Sequence, residues 1–270
     1  MLESILIGIL LALVTMLPLA WKWQLGVRRM AFLVVLLALL PSLLITILGS
    51  LISIHAVLQS ALVWFMTLVA VFVFVAYRFY RDPQRRPPDR DDAIISPADG
   101  KIIYVRESRE GMLPISTKYG QEYPLQELTK TPFYSQEAVV IGISMSFLDV
   151  HINRAPIAGR IILHRHFPGR FGSLRRPEMV FENERATTII QQGELQVAVV
   201  QIASRLVRQI VGFVDEDQDV TLGQRIGIIR FGSQVDLVLP ACQDLKLMVQ
   251  IGEQVKAGQS IIAILPALAS

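Results

Sequence analysis

The sequence predicts an N-terminal set of transmembrane α-helices followed by a mainly-β (α+β) domain. Three observations predict it. The 270 residues are 52% hydrophobic with a mean hydropathy of +0.47, and the apolar excess is concentrated at the N-terminal end. Charge divides at the same place. Beyond it the pattern changes to short β-branched runs punctuated by Gly and Pro.

No Asp, Glu, Lys or Arg occurs from Met30 to Tyr77. As one helix this stretch would run roughly 70 Å at about 1.5 Å per residue. A bilayer core is about 30 Å thick, so the stretch is expected to cross twice and to turn near His55 to Ser60. An earlier apolar run, Ile5 to Leu19, supplies a first crossing. A signal peptide carries its positive charge ahead of the apolar region, whereas here Glu3 precedes it and Lys22, Arg28 and Arg29 follow. Those cations lie between the first and second spans, and Arg78, Arg81, Arg85 and Arg86 lie just after the third. Both clusters are therefore expected on the cytoplasmic side of the cell membrane, in a multi-pass protein with an outside N-terminus and a cytoplasmic β-rich domain. Cys242 is the single cysteine, which excludes an internal disulfide.

Residues 1–80 hold four Lys or Arg against one acidic residue, and the remainder balances at 22 of each. The isoelectric point near 9.1 thus reflects membrane-flanking cations and does not argue for a nucleic acid partner. Residues 81–92, rich in Arg and Pro, read as a basic linker between a membrane anchor (1–80) and the domain 93–270. That linker either lies against anionic headgroups or is a solvated spacer.

Strands are expected at Ala93 to Ile95, Lys101 to Val105, Ala138 to Ile143, Thr187 to Ile190 and Val197 to Ile202. Ser204 to Ile210 reads as a short helix or a further strand. Glu107 to Glu137 reads as a solvated loop, with seating of a lipid by Tyr119, Tyr123, Phe133 and Tyr134 as the alternative. Near the C-terminus, Ile251 to Gln259 is similar to the turn of biotinyl and lipoyl hammerhead domains, a resemblance that implies a hammerhead-like β-sandwich portion within the mainly-β domain. Lys246 is not expected to be a carrier lysine, because it precedes this turn and the modified lysine follows it.

The run Arg225 to Pro240 puts Gly232 and Ser233 between two strand-like stretches. Alone, Gly-Ser in that setting reads as a bulge or turn. The Ser hydroxyl also lies beside the preceding carbonyl, at a residue whose backbone is free to bend. Attack there would convert the amide to an ester, and elimination would leave a dehydroalanine that hydrolyses to a pyruvoyl group.

Five segments together resemble the phosphatidylserine decarboxylase family, most closely its short, pyruvoyl-dependent branch. They are Arg78-Phe79-Tyr80-Arg81-Asp82-Pro83, Ser96-Pro97-Ala98-Asp99-Gly100-Lys101, Asp149-Val150-His151-Ile152-Asn153-Arg154-Ala155-Pro156, Phe181-Glu182-Asn183-Glu184-Arg185 and Arg225 to Pro240. The resemblance implies a proenzyme that cleaves itself between Gly232 and Ser233, with the two chains remaining associated. Ser233 would become the covalent pyruvoyl cofactor, His151 would act as base and Asp99 as the carboxylate that orients it. The implied reaction converts phosphatidylserine, a phospholipid substrate in a membrane, to phosphatidylethanolamine, with no metal required. Two other readings stay open: a decarboxylase of an archaetidylserine-type lipid, and a non-enzymatic membrane-anchored hammerhead adaptor. The adaptor would need a long heptad hairpin, and no sustained a/d pattern occurs. Whether the protein forms a homo-oligomer is also open. Of the other histidines, His55 falls in the expected membrane turn, and His164 and His166 alternate along one run. One departure stands out: the longer bacterial branch has a second histidine three residues beyond the position of His151, where this chain has Arg154.

Overall fold

A computed structural model describes the chain apart from residues 1, 23–24, 117–120, 133–136, 175, 177, 205–208, 231–232, 242–244 and 266–270, and apart from the side chains of 115, 116, 121 and 233. The expectations that fall on Tyr119, Phe133, Tyr134, Gly232, Cys242 and the Ser233 side chain therefore lie outside the described residues. The chain divides into two compact units, Met1–Arg81 with Ser146–Leu148, and Asp82–Met145 with Asp149–Ser270.

The first unit contains α1 (Leu2–Lys22), α2 (Val27–Leu51) and α3 (Ala56–Tyr80), each long and apolar enough to cross a membrane. The break between α2 and α3 comes at 52–55, slightly before the expected His55 to Ser60. Ile52 leaves the helical region at φ −133° and ψ 134°. His55 then caps the next helix, its Nδ1 accepting from the Val57 amide at 3.4 Å. Small residues let the helices approach. Ser4, Gly8 and Ala12 recur every four residues on the buried stripe of α1, and a Cβ on Gly8 would lie 2.8 Å from both the Ser60 carbonyl oxygen and the Val63 Cβ.

The second unit is mainly β, with sixteen strands among the described residues. They are β1 (Ala93–Ile95), β2 (Gly100–Ser108), β3 (Met112–Ser116), β4 (Gln121–Pro124), β5 (Ala138–Met145), β6 (Ile152–Arg154), β7 (Gly159–Phe167) and β8 (Arg185–Gln192). The remainder are β9 (Leu195–Ala203), β10 (Gln209–Gly212), β11 (Asp219–Val220), β12 (Arg225–Arg230), β13 (Ser233–Pro240), β14 (Lys246–Leu247), β15 (Gln254–Val255) and β16 (Ile261–Ile264). Two short helices, α4 (Leu125–Thr129) and α5 (Met179–Glu182), accompany them. An eight-stranded sheet runs in the order β11-β7-β8-β9-β13-β5-β2-β15, beside three-stranded sheets β10-β12-β6 and β1-β16-β14 and the hairpin β3-β4. Strand β13 is central, pairing antiparallel with β5 on one side and β9 on the other.

Both faces of the large sheet are covered, so its strands carry apolar residues at successive positions. Val235, Leu237 and Leu239 join one core with Ile102, Ile141, Ile143 and Val199. Val238 joins a second core with Val140, Ala198, Val200 and Phe181. The segment expected as a solvated loop, Glu107 to Glu137, supplies part of that second core. Leu113 of β3 and Leu125 and Leu128 of α4 are buried in it, and Tyr123 stacks on Phe181 with ring centroids 4.6 Å apart. The physical reason is that this face of the sheet would otherwise expose its valines to water. Of the segment expected as helix or strand, the described part enters β10 from Gln209.

Leu128→Ala should lower the unfolding free energy by about 2–5 kcal/mol, the cost of a buried leucine. Urea denaturation of the full chain measures it. A loss below about 0.5 kcal/mol, typical of a solvated surface position, would return this segment to a loop.

Candidate active site

The segment Ser96 to Gly100 is fixed from two sides before any functional group is considered. The Ser96 amide donates to the Ser260 carbonyl and the Gly258 amide to the Ser96 carbonyl, both at 2.8 Å. The Pro97 carbonyl accepts from the Arg154 amide at 2.9 Å, and the Ser96 hydroxyl closes the turn onto the Ala98 carbonyl at 2.7 Å. Gly100 follows with φ +149°, and a Cβ there would lie 2.3 Å from the Ser144 carbonyl oxygen. Only glycine permits so close a crossing with β5.

This geometry sinks the Asp99 carboxylate among donors. It accepts both Nη groups of Arg85, the Nη2 contact being 2.8 Å. It also accepts the Ala257 amide at 2.8 Å and the Val150 amide at 3.4 Å. The two side chains are 7% and 9% exposed, so this is a buried, bidentate pair. Arg85 Nη1 further donates to the Ala257 carbonyl at 2.7 Å.

Val150 precedes His151, which is fully buried. Its Nδ1 lies 2.9 Å from the Asp149 carbonyl oxygen. A carbonyl can only accept, so Nδ1 carries the proton and Nε2 is the basic nitrogen. Burial pushes the imidazole down to about 4, against the opposing pull of the Asp149 carbonyl bond and the Asp149 and Asp99 charges. Asp99 and His151 are thus brought together through the Val150 amide, while the imidazole Nδ1 is oriented by its own loop.

The same loop meets β12, since the Ile229 amide donates to the His151 carbonyl at 3.3 Å and Ile228 pairs with Ile152. Three residues beyond Arg230, Ser233 opens β13 opposite Met145 of β5 and Ala203 of β9. The Arg225-to-Pro240 run is therefore two strands, β12 and β13, flanking residues 231–232.

Arg154, the residue standing where the longer branch has histidine, is buried and structurally committed. Its Nη1 donates to the Gly223 carbonyl at 3.0 Å, and its Nη2 to Asp82 Oδ1 at 3.2 Å and the Pro83 carbonyl at 3.0 Å. Asp82 Oδ2 also accepts Arg225 Nε at 2.5 Å. Burial and the nearby Arg225 charge lower the Arg154 pKa. Sequence reasoning missed the roles of Asp82 and Arg85, which it placed in a landmark and a linker. Asp82 lay within a segment already singled out, Arg78 to Pro83, whereas nothing local marks Arg85.

A second buried polar group was also missed. Tyr104 donates to Asp236 Oδ2 at 2.6 Å, while Gln234 Nε2 lies 2.7 Å from both Asp236 Oδ1 and the Tyr104 hydroxyl. Burial pushes the Asp236 carboxyl up to about 6, despite the bonds from Tyr104 and Gln234. Arg106 covers the Tyr104 ring at 4.1 Å. The remaining histidines of this unit are on β7: His164 Nδ1 lies 2.9 Å from Thr188 Oγ1, and His166 Nε2 lies 2.9 Å from Glu184 Oε1. Lys246 is in β14, opposite Ile264.

The β-rich unit thus holds a buried histidine and a buried carboxylate joined through the Val150 amide, on a loop that meets β12. The family model described as phosphatidylserine decarboxylase matches residues 72–263. A phosphatidylserine decarboxylase proenzyme of Geobacter sulfurreducens is 36% identical over 224 residues, covering 82% of this chain and 90% of that protein. A protein of Methanocaldococcus jannaschii named "Putative archaetidylserine decarboxylase proenzyme" is 38% identical over 199 residues, 74% of this chain and 93% of its own length. One of the same name from Methanothermobacter thermautotrophicus is 37% identical over 197 residues, 72% and 83%. The chain belongs to the phosphatidylserine decarboxylase family. It is a decarboxylase.

Arg85→Gln should destabilise the β-rich unit by about 3–5 kcal/mol, because it leaves the Asp99 charge buried without its partner. The double variant Arg85→Gln/Asp99→Asn should cost clearly less than the sum of the two single changes. A denaturant-measured double-mutant cycle with additive costs would mean the pair is not coupled.

Proposed function

We propose that this chain is a membrane-anchored decarboxylase of a phosphatidylserine-type lipid, and that it makes its own pyruvoyl group by cleaving the Gly232-Ser233 bond. The observation that carries the reading is the place of that bond. It immediately precedes β13, whose ladder contacts with β5 and β9 begin at residue 233, and the strand before it, β12, meets the loop that holds a neutral buried His151 through the Ile229 amide. Cutting there leaves the pairing of β13 intact.

In the self-cleavage the Ser233 hydroxyl attacks the Gly232 carbonyl, and His151 takes the hydroxyl proton as the amide becomes an ester. Loss of the residue-233 α-proton then expels the Gly232 carboxylate, and the dehydroalanine hydrolyses with loss of ammonia. A low imidazole pKa suits the base role, since His151 stays unprotonated at neutral pH. Asp99 acts indirectly, holding the loop through the Val150 amide, and Arg85 holds Asp99 in place. Once formed, a pyruvoyl carbonyl on residue 233 supplies the electrophile that takes up the substrate amine and the electron pair left by CO2. With Arg154 committed to Asp82 and to backbone carbonyls, His151 is the imidazole assigned to proton transfer at both stages. The two chains stay together, because the small chain begins with a strand held between two strands of the large one.

The substrate assignment is supported by the three apolar helices and by the family. A lipid headgroup is confined to the bilayer surface, so an anchored enzyme meets it in two dimensions, an advantage that free serine would not require. The domain reading is a membrane anchor at 1–80, a junction at 81–92 and a catalytic domain at 93–270 that faces the cytoplasm, with both cation clusters on that side. The similarity to archaeal relatives at 37% and 38% identity favours keeping an archaetidylserine-type lipid as the second reading.

Intact-mass measurement of purified protein should show two chains, one ending at Gly232 and one beginning with pyruvoyl at 233, together with CO2 release from phosphatidylserine. Ser233→Ala should remain a single inactive chain, and His151→Ala should mature slower by about 10²–10⁴-fold. A single uncut wild-type chain that turns over the lipid would refute the pyruvoyl mechanism.

Because the folded pKa of His151 lies near 4, below its usual value of about 6.5, self-cleavage should be flat from pH 8 down to about pH 5 and fall as pH approaches 4. The same depression contributes stability that is fully present above about 6.5 and is lost as pH falls through 4. Pulse-labelled maturation across pH reads the rate, and a midpoint near 6.5 would show that the base is an imidazole in an ordinary environment.

A further inference from the structure

A serine headgroup carries its reacting amine and its phosphodiester on one short chain, N–Cα–Cβ–O–P. Any cation that receives the phosphodiester must therefore sit within side-chain reach of residue 233. Most described cations around the site are already committed. Arg85 is bound to Asp99, and Arg154 and Arg225 are bound to Asp82. The Arg185 guanidinium donates to the carbonyls of Asn183, Glu127 and Leu128, and Arg106 lies over the Tyr104 ring.

Arg230 is different. It is the last residue of β12, only half-buried, and at most about 10–11 Å of extended chain separates it from residue 233. Its Nη1 donates to the Gln209 side-chain oxygen at 2.6 Å, a neutral acceptor, and its Nε has no partner among the described residues. Its neighbour Ile229 bonds to His151, so the strand register carries Arg230 alongside the Val150-His151 loop.

The face it occupies is also informative. Gln209 pairs with Arg230 and Val211 with Ile228, and alternation along β10 puts Gln209, Val211 and then Phe213 on one side. Val211 packs with Val150, Ile152 and Ile228, and Phe213 is 46% exposed. A half-buried guanidinium thus ends an apolar row. That is the complement of a molecule with one phosphodiester charge joined to hydrocarbon.

We propose that the Arg230 guanidinium receives the substrate phosphodiester, with Ile228, Val211 and Phe213 taking the glycerol and the first methylenes beyond it. This deepens the lipid-decarboxylase reading and rests on it. Arginine fits the task because its planar fork donates in pairs to a phosphate, and Gln209 holds the fork in place through a single Nη.

The test uses the full chain in detergent micelles, with Arg230→Gln and Arg230→Lys. Arg230→Gln should still cleave itself, as read by intact mass, while its KM for phosphatidylserine rises about tenfold or more, the scale of a lost charged hydrogen bond. Its kcat should change far less. Glycerophosphoserine, which keeps the phosphodiester but lacks tails, should lose as much, whereas O-methylserine, which keeps the amine and free carboxylate but carries no phosphate, tested as substrate or competing ligand, should be unaffected. Inorganic phosphate should inhibit the wild type more strongly than Arg230→Gln, and Arg230→Lys should be intermediate. An unchanged KM for phosphatidylserine, or equal losses on O-methylserine, would overturn the assignment. Failure of both variants to cleave themselves would overturn it too, by moving Arg230 into maturation. Wild-type protein that releases no CO2 from either the lipid or O-methylserine would remove the decarboxylase reading along with it, whereas active wild type with an unaltered Arg230→Gln removes this inference alone.

Discussion

The chemistry-bearing parts of the β-rich unit hang from the buried pair between Arg85 and Asp99. A charge excluded from water needs a partner and further hydrogen bonds, and Asp99 has both, in the guanidinium of Arg85 and the amides of Val150 and Ala257. Each of those donors belongs to a different stretch of chain. Satisfying one carboxylate therefore brings the segment around residue 85, the His151 loop and the hammerhead-like turn into a single arrangement. Asp82 repeats the device three residues earlier, joining Arg154 to Arg225 and so tying the same loop to the start of β12. Buried ion pairs add little net stability compared with apolar packing, but they are intolerant of misplacement. That intolerance is what a site with one productive geometry requires.

The large sheet contributes rigidity of another kind. Its central strands are covered on both faces by separate apolar cores, which leaves β13 few ways to shift. The polar trio of Asp236, Tyr104 and Gln234 sits within the second of these layers and is fully internally bonded. A one-residue slip of β13 would bury that carboxyl among valines and expose none of it to its donors, so the trio also specifies register.

Much of this architecture was legible in the sequence. The helices were visible because a long charge-free stretch is stable in few settings besides a bilayer, and the break falls slightly earlier than expected, with Ile52 extended and His55 capping the next helix. The strands at 93, 101, 138, 187 and 197 were visible as β-branched runs. Glu107 to Glu137 was misread because its core residues, Leu113, Leu125 and Leu128, are spread over a hairpin and a short helix and make no continuous pattern. The candidate site was legible only in part. His151, Asp99 and Ser233 stood out through the resemblance, whereas Arg85 and Asp82 act on partners far along the chain, and no local periodicity encodes such a pairing. Asp236 was hidden for a related reason: a strand with core on both sides shows no alternation against which one carboxylate would stand out.

The double-sided pairing of β13 has a consequence for the history of the molecule. On the proposed cleavage, a strand that folded as the interior of one chain becomes the first strand of another. The fold would then be assembled as a unimolecular event and afterwards maintained as a complex of two chains. Denatured mature protein would have to find its partner by collision, and the information that once joined them is no longer covalent. The enzyme would thus have one opportunity to fold, taken before it is active, and its working lifetime would be governed by how slowly the sheet opens.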